Sequence, residues 1–198
     1  MAPRSRWHWA GVLRWLHTYV SLIGFATLLF FAVTGLTLNH AAWFEDGGER
    51  ERSWSAAVPR ELLPEGGEPD EAVLAQWMRT ELGLHGEVYD FRVDDERVSL
   101  VLKGPGYSAD AEIDRASSNA DVRELRLNAW AVLDDLHKGR DSGTAWAWVI
   151  DVSAVVMAIS ALTGLWLLLY IKRRRNAGLV VTVIGLLVLG AVAWLWTP

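Results

Sequence analysis

Three stretches without a single charged side chain constrain this 198-residue chain more than any other feature. Charged residues are absent between Arg14 and Glu45, between Asp151 and Lys172, and after Arg175, leaving uncharged runs of 30, 20 and 23 residues. A helix needs about 20 apolar residues to cross the hydrocarbon core of a bilayer, so each run has room for one span. The spans are expected at 15–40, 144–171 and 179–197. The first is far longer than the apolar core of a secretory signal peptide, and no convincing small-x-small cleavage site follows it. It is expected to be an uncleaved signal anchor.

The signs of the charges supply an orientation. Arg4, Arg6 and Arg14 precede or open the first span with no acid among them, and Lys172, Arg173, Arg174 and Arg175 follow the second. Residues 41–141 hold 12 basic and 23 acidic side chains, a net of −11. The positive-inside rule then places the N-terminal segment 1–14 and the basic loop 172–178 in the cytoplasm, with the acidic segment and the C-terminus outside. The tryptophans agree: Trp7, Trp9 and Trp15 fall at the inner edge, and Trp43, Trp146, Trp148, Trp194 and Trp196 at the outer edge, the interfacial depths that indoles favour. The chain has no Cys, which excludes disulfide scaffolds, thiolate zinc sites, cysteine-ligated iron–sulfur clusters and covalently attached c-type haem. A net charge of −5 argues against nucleic acid as a partner.

The outer segment, 41–128, reads as a small α+β domain. Residues 41–68 are rich in Glu, Arg, Gly and Pro and are expected to form an irregular lead-in. Asp70 is placed to cap a helix whose apolar residues Val73, Leu74, Trp77, Met78 and Leu82 share one face, with Gly83 to end it. Strict alternation follows in Tyr89, Phe91 and Val93, in Val98, Leu100 and Leu102, and in Tyr107, Ala109, Ala111 and Ile113, which predicts antiparallel strands joined at Asp94-Asp95-Glu96 and Gly104-Pro105-Gly106. A weaker fourth strand is expected at 122–127. Residues 129–143 are expected to form an amphipathic helix on the outer membrane surface, with Trp130, Leu133 and Leu136 on one side, and a bend bracketed by Gly139 and Gly143. The fold class is a mainly α membrane protein: three transmembrane helices with an α+β insert between the first and second.

Chemistry in such a chain falls to the histidines. His17 stands at the inner end of the first span and His40 at its outer end, about 34 Å apart along a continuous helix, while His137 approaches the outer end of the second. An imidazole at membrane depth is costly unless satisfied, which makes each a functional candidate; the alternative is a solvated or backbone-bonded ring. His40 and His137 come from different elements at one expected depth, the arrangement two axial imidazoles of a b-type haem require. His17 has only His8 at its own depth, so a second haem needs a second protomer, as in a homodimer, or a single axial ligand. Gly24 and Gly35 fall on the His17 face and leave a groove that a flat ring enters, although close helix packing accounts for them equally well. A metal ion on the same three histidines ranks below haem, because no pair has the i, i+4 spacing of a tight site. Asp151, the one acid inside a span, has three readings: an orienter for a ligating imidazole, a proton relay, or a hydrated carboxylate. No nucleophile motif, Walker loop or dinucleotide fingerprint is present, so no catalytic residue is assigned, and His85 reads as a surface residue.

The opening RWLHTYVSLIGFATLLFFAVTGLTLNH, followed by an α-plus-β segment and then LHKGRDSGTAWAWVIDVSAVVMAISALTGLWLLL, resembles the PepSY-associated transmembrane proteins, in particular their short three-span branch. The match covers nearly the whole chain; its specific parts are FAVTGLTLNH, and LHKGR followed by a span containing ALTGL. The triplets Thr34-Gly35-Leu36 and Thr163-Gly164-Leu165 form a faint internal repeat in oppositely directed helices. What the resemblance implies is a bacterial inner-membrane protein with a PepSY-like outer domain. Some larger relatives are dihaem reductases that release iron from siderophores, with histidines at span ends holding b haems and passing electrons across the bilayer. Carried over, the cofactor is haem b and its candidate ligands are His17, His40 and His137. Those reductases have more spans and more PepSY-like units than this chain.

Two functional expectations result. The first is a b-type haem electron-transfer protein that serves a ferric or siderophore-iron reductase system, taking electrons from the cytoplasm or the quinone pool to an outer acceptor, ferric iron or a periplasmic redox partner such as a flavoprotein. The second is a non-catalytic membrane anchor whose outer domain binds or restrains an envelope protein through a sheet edge, with the acidic face of residues 108–114 as the contact.

Overall fold

A computed structural model describes residues 5–44, 48–64 and 67–197. In chain order the elements are α1 (Ser5–Asn39), β1 (Arg50–Ala57), α2 (Glu71–Glu81), β2 (Glu87–Val93), β3 (Arg97–Gly104), β4 (Tyr107–Asp114), β5 (Asn119–Arg126), α3 (Ala129–Lys138), α4 (Gly143–Tyr170) and α5 (Arg175–Trp196). Three helices are long and apolar enough to cross a membrane: Trp9–Asn39, Gly143–Tyr170 and Arg175–Trp196. Each overlaps one of the three uncharged runs, and two ends shift from the expected spans. Helix α1 begins at Ser5, so most of segment 1–14 is helical, and α5 begins at Arg175, so the turn before it takes only part of 172–178. Loss of charge marks hydrocarbon depth rather than a helix end, and Arg has a high helix propensity. Arg4 lies outside the described residues.

The chain divides into two compact units, one of residues up to Leu29 together with those from Asp151 onward, the other Phe30–Ile150. In the first, α1 and α4 approach closely at Gly24, where a Cβ would stand 2.9 Å from Val156 Cγ1. Helices α4 and α5 meet at Gly178, where a Cβ would stand 2.6 Å from Leu168 Cδ1. Helix α5 buries none of its residues. A helix apolar all round belongs in a core or a membrane, and α5 has no core.

The second unit is built on a five-stranded antiparallel sheet of order β1-β5-β4-β3-β2. Asp70 caps α2 as the sequence predicts, its carboxylate accepting from the N–H groups of Ala72 (2.9 Å) and Val73 (3.1 Å). Leu74, Ala75 and Met78 of α2 are buried in one core with Val98, Leu100 and Leu102 of β3, Ala109, Ala111 and Ile113 of β4, and Ala120 and Val122 of β5. The period of two puts every other residue of β3 to β5 in that core. The opposite face is polar, with Ser99, Asp110, Glu112, Asp121 and Arg123 lining a shallow depression together with Ser53 and Ser55 of β1.

Two expectations are corrected here. The lead-in 41–68 contains a full strand, β1, paired with β5 from Arg50↔Arg126 to Ala57↔Asn119. Its sequence RERSWSAA hides the alternation because it is an edge strand, with only Trp54 and Ala56 half-buried, and it is held in part by charge pairs such as Arg123–Glu51 at 3.5 Å. The segment 108–114 lies in β4, flanked by β3 and β5, so its acidic side chains belong to a sheet face and not to an edge. The fourth strand is β5, longer than expected at its start.

One charge sits inside this unit. Glu124 is 2% exposed and accepts from Arg126 Nε (3.0 Å) and Nη2 (2.7 Å) and from the Tyr107 hydroxyl (3.1 Å), with Arg52 at 3.8 Å. Burial pushes its carboxyl up, but the hydrogen bonds from Arg126 and Tyr107 and the charges of Arg126 and Arg52 outweigh that and leave it below the ordinary range. Burial likewise pushes the Tyr107 hydroxyl up and keeps it a donor.

Candidate functional site

His137 lies in the last turn of α3, a helix fixed at both ends by its own sequence. Asn128 caps the start by accepting from Ala131 N–H at 2.9 Å. Gly139 ends it in the left-handed conformation, φ +69°, where a side chain would be strained. Two adjacent carboxylates dock α3 on either side. Asp135 accepts from the Gly106 N–H in the β3–β4 turn at 2.9 Å, and Asp134 accepts from the Thr37 hydroxyl of α1 at 3.0 Å. The Trp146 indole donates to the Leu136 carbonyl at 2.8 Å.

These ties seat the His137 ring against the end of α1. Its Nδ1 lies 2.6 Å from Thr34 Oγ1, and the Phe31 ring meets it edge-on at 5.3 Å. A Cβ on Gly35 would stand 3.3 Å from its Cε1, so the glycine is what lets the ring lie flat on the helix. Thr34 is 2% exposed, and its hydroxyl also reaches the Phe30 carbonyl at 2.7 Å.

The other unit repeats this construction with the roles of the helices exchanged. His17 of α1 has its Nδ1 2.9 Å from Thr163 Oγ1 of α4, and a Cβ on Gly164 would stand 3.1 Å from its Cε1. Thr163 is buried, and its hydroxyl reaches the carbonyls of Ile159 (2.7 Å) and Ser160 (3.1 Å). Ser21 Oγ lies 3.4 Å from the same Nδ1. The two Thr-Gly-Leu triplets, visible in the sequence only as a repeat, are thus two histidine cradles. Each half of the chain contributes a histidine to the triplet of the other half.

The remaining candidates sit differently. His40 follows α1 and stacks its ring on Trp43, centroids 4.0 Å apart and planes within 6°; among the described residues it shares no hydrogen bond or ring contact with His137. Asp151 is exposed on α4 and makes no hydrogen bond to any of the three histidines. The groups that do orient imidazoles are Thr34 and Thr163, which the sequence reading did not select, because a threonine within a span is unremarkable until its partner is known. His85 is exposed as expected; its backbone N–H donates to Tyr107 Oη at 3.1 Å, and its ring lies 5.8 Å from the Tyr107 ring. Among the described residues no group of three or more His, Cys, Asp or Glu side chains comes together to hold a metal ion.

Nε2 of His17 and of His137 carries no hydrogen bond among the described residues, whereas Nδ1 of each is engaged. An imidazole tied through one nitrogen and without a hydrogen bond at the other has the donor chemistry of an axial haem ligand; in that donor chemistry His17 and His137 fit such a group. Comparison with curated proteins and with solved structures returned no match. The family described as PepSY_TM-like matches residues 11–198, a range that includes both cradles, the sheet and all but the first residues of α1. The chain belongs to the PepSY_TM-like family.

Proposed function

We propose that this chain is a b-type haem electron-transfer protein of the bacterial inner membrane, part of a system that reduces ferric or siderophore-bound iron. The observation that supports the reading is the pair of cradled histidines, each held through Nδ1 and with no hydrogen bond at Nε2 among the described residues. Haem b, when bound, supplies a one-electron iron couple within the membrane. The chain's own residues do the rest: His17 and His137 offer Nε2, Thr34 and Thr163 hold the rings, and Gly35 and Gly164 leave the space the rings occupy. His40, half-buried and stacked on Trp43, is the third candidate ligand. Orientation follows the basic residues, with Lys172 to Arg175 in the cytoplasm and the sheet domain on the periplasmic side, so electrons run outward to ferric iron or a periplasmic redox protein.

The test is an absorption spectrum of the full chain, purified in mild detergent from cells fed haem precursor, before and after dithionite. A Soret band with sharp reduced α and β bands establishes six-coordinate b haem, and its ratio to protein separates a site within one chain from one shared in a homodimer. His137→Ala and His17→Ala are each expected to lower haem content by at least half while the protein still inserts. A preparation that stays colourless after reconstitution refutes the reading and leaves a module that binds an envelope partner.

A further inference from the structure

Thr34 and Thr163 each stand between two groups that compete for one hydroxyl. Thr34 Oγ1 is 2.7 Å from the Phe30 carbonyl oxygen and 2.6 Å from His137 Nδ1. A hydroxyl has one proton. Two oxygens 2.7 Å apart with no proton between them repel, so the proton lies on the line to Phe30, the back-bond threonine makes in helices. What Oγ1 then presents to His137 is a lone pair, and Nδ1 meets it at hydrogen-bond distance only by carrying its own proton. At Thr163 the constraint is doubled, since carbonyls of both Ile159 (2.7 Å) and Ser160 (3.1 Å) take the hydroxyl proton while His17 Nδ1 lies 2.9 Å away. Ser21 Oγ, at 3.4 Å from that nitrogen, is too distant to displace Thr163.

We infer that Thr34 and Thr163 are positioning residues that hold His137 and His17 as the Nδ1–H tautomer, leaving Nε2 of each as the basic nitrogen. Histidine side chains in water favour the opposite tautomer, so the cradle inverts the default. The same geometry arises twice from unrelated chain neighbours, α3 against α1 and α1 against α4, with a glycine after the threonine in both. Repetition of the donor, the acceptor and the space beside Cε1 separates this from chance packing of a threonine on a ring. The inference deepens the haem reading but concerns the apoprotein, and it stands or falls there.

The experiment is heteronuclear NMR of the full chain, apo, ¹⁵N-labelled at histidine in lipid nanodiscs, at a pH above the ordinary imidazole range. The expected wild-type pattern for His17 and His137 is a pyrrole-type Nδ1 and a pyridine-type Nε2. Thr34→Val is expected to move the His137 pattern toward Nε2–H without touching that of His17, Thr163→Val to do the reverse, and Thr→Ser at either position to keep the wild-type pattern. A pyridine-type Nδ1 at either histidine in the wild type overturns the inference, as does a folded valine variant with an unchanged pattern. If the valine variants fail to fold, the wild-type spectrum decides alone. In haem-loaded chain, Thr34→Val and Thr163→Val are expected to shift the midpoint potential upward, because a ligating imidazole that loses its hydrogen-bond acceptor becomes less basic. A chain that binds no haem but shows both Nδ1–H tautomers supports this inference and refutes the proposed function.

Discussion

Removal of Arg126 should expose how the outer domain tolerates its buried carboxylate. Arg126 makes two of the three hydrogen bonds that Glu124 accepts. Arg126→Ala leaves an acid that is 2% exposed with one neutral donor, Tyr107, and a mostly exposed Arg52 at 3.8 Å. Breaking a buried pair by deleting one partner costs about 3–5 kcal/mol. The Arg126 side chain is 46% exposed and already shares its charge with water, so the expected loss is at the lower end, about 3 kcal/mol. Glu124→Gln keeps an acceptor for Tyr107 and removes the charge, and is expected to cost about 1 kcal/mol. The two variants also differ in pH dependence. In the wild type the folded carboxyl lies below its ordinary value, so its stabilisation is complete above the unfolded value and is lost as pH falls through the folded one. Without Arg126 burial dominates and raises the carboxyl, so the deficit of Arg126→Ala should shrink as pH falls. Hydrogen exchange of the β4 and β5 amides in the full-length protein, read at several pH values, measures both effects. Equal, pH-independent losses in the two variants would refute the argument that Glu124 is a buried charge held by Arg126.

Other positions give independent checks. Leu100→Ala, at a fully buried core position, is expected to destabilise the sheet by about 2–5 kcal/mol, seen as a lower unfolding midpoint. Asp70→Ala removes the cap of α2 and should cost about 1 kcal/mol, with faster exchange confined to the first turn of that helix. Gly106→Ala meets a φ of +63° and a Cβ 2.5 Å from Val132 Cγ2; a cost of about 2 kcal/mol and faster exchange in α3 are expected, while α2 amides stay protected. Gly35→Leu fills the space beside the His137 ring and should alter the His137 imidazole resonances while leaving those of His17 in place; unchanged His137 signals would contradict the seating of that ring on Gly35.

Much of this architecture can be read from residue order. Uncharged runs mark the three long helices, Asp70 and Gly83 bracket α2, and alternation from Tyr89 to Ile113 gives three strands with their turns, because each is a local pattern with a local cause. Strand β1 is invisible by the same criterion, since an edge strand of Arg, Glu and Ser owes its place to its partner β5 rather than to its own alternation. The histidines are legible as candidates, but their surroundings are not. Equal expected depth pairs His40 with His137, whereas the contacts His137 makes are to Thr34, Gly35 and Phe31. Depth is encoded in composition; the face of α1 that receives the end of α3 is met through Thr37 to Asp134 and Thr34 to His137, pairs that no local pattern announces. The Thr-Gly-Leu repeat is the one written trace of the cradles, and only spatial proximity turns it into a donor–acceptor arrangement.

The exchange of partners between the two halves also sets an order in time. His17 precedes its threonine by 146 residues and Thr34 precedes its histidine by 103. At a synthesis rate of about 5–20 residues per second, the first span waits roughly 7–30 s for Thr163 to be made. Through that interval Ser21, one helical turn away on its own span, is the one side-chain partner of the His17 imidazole among the described residues. The two imidazoles therefore differ: His137 meets a threonine already made, whereas His17 is completed only when the ribosome has passed the second triplet. A chain truncated after α3 would therefore show the His137 seat with Thr34 in place and the His17 seat still without Thr163.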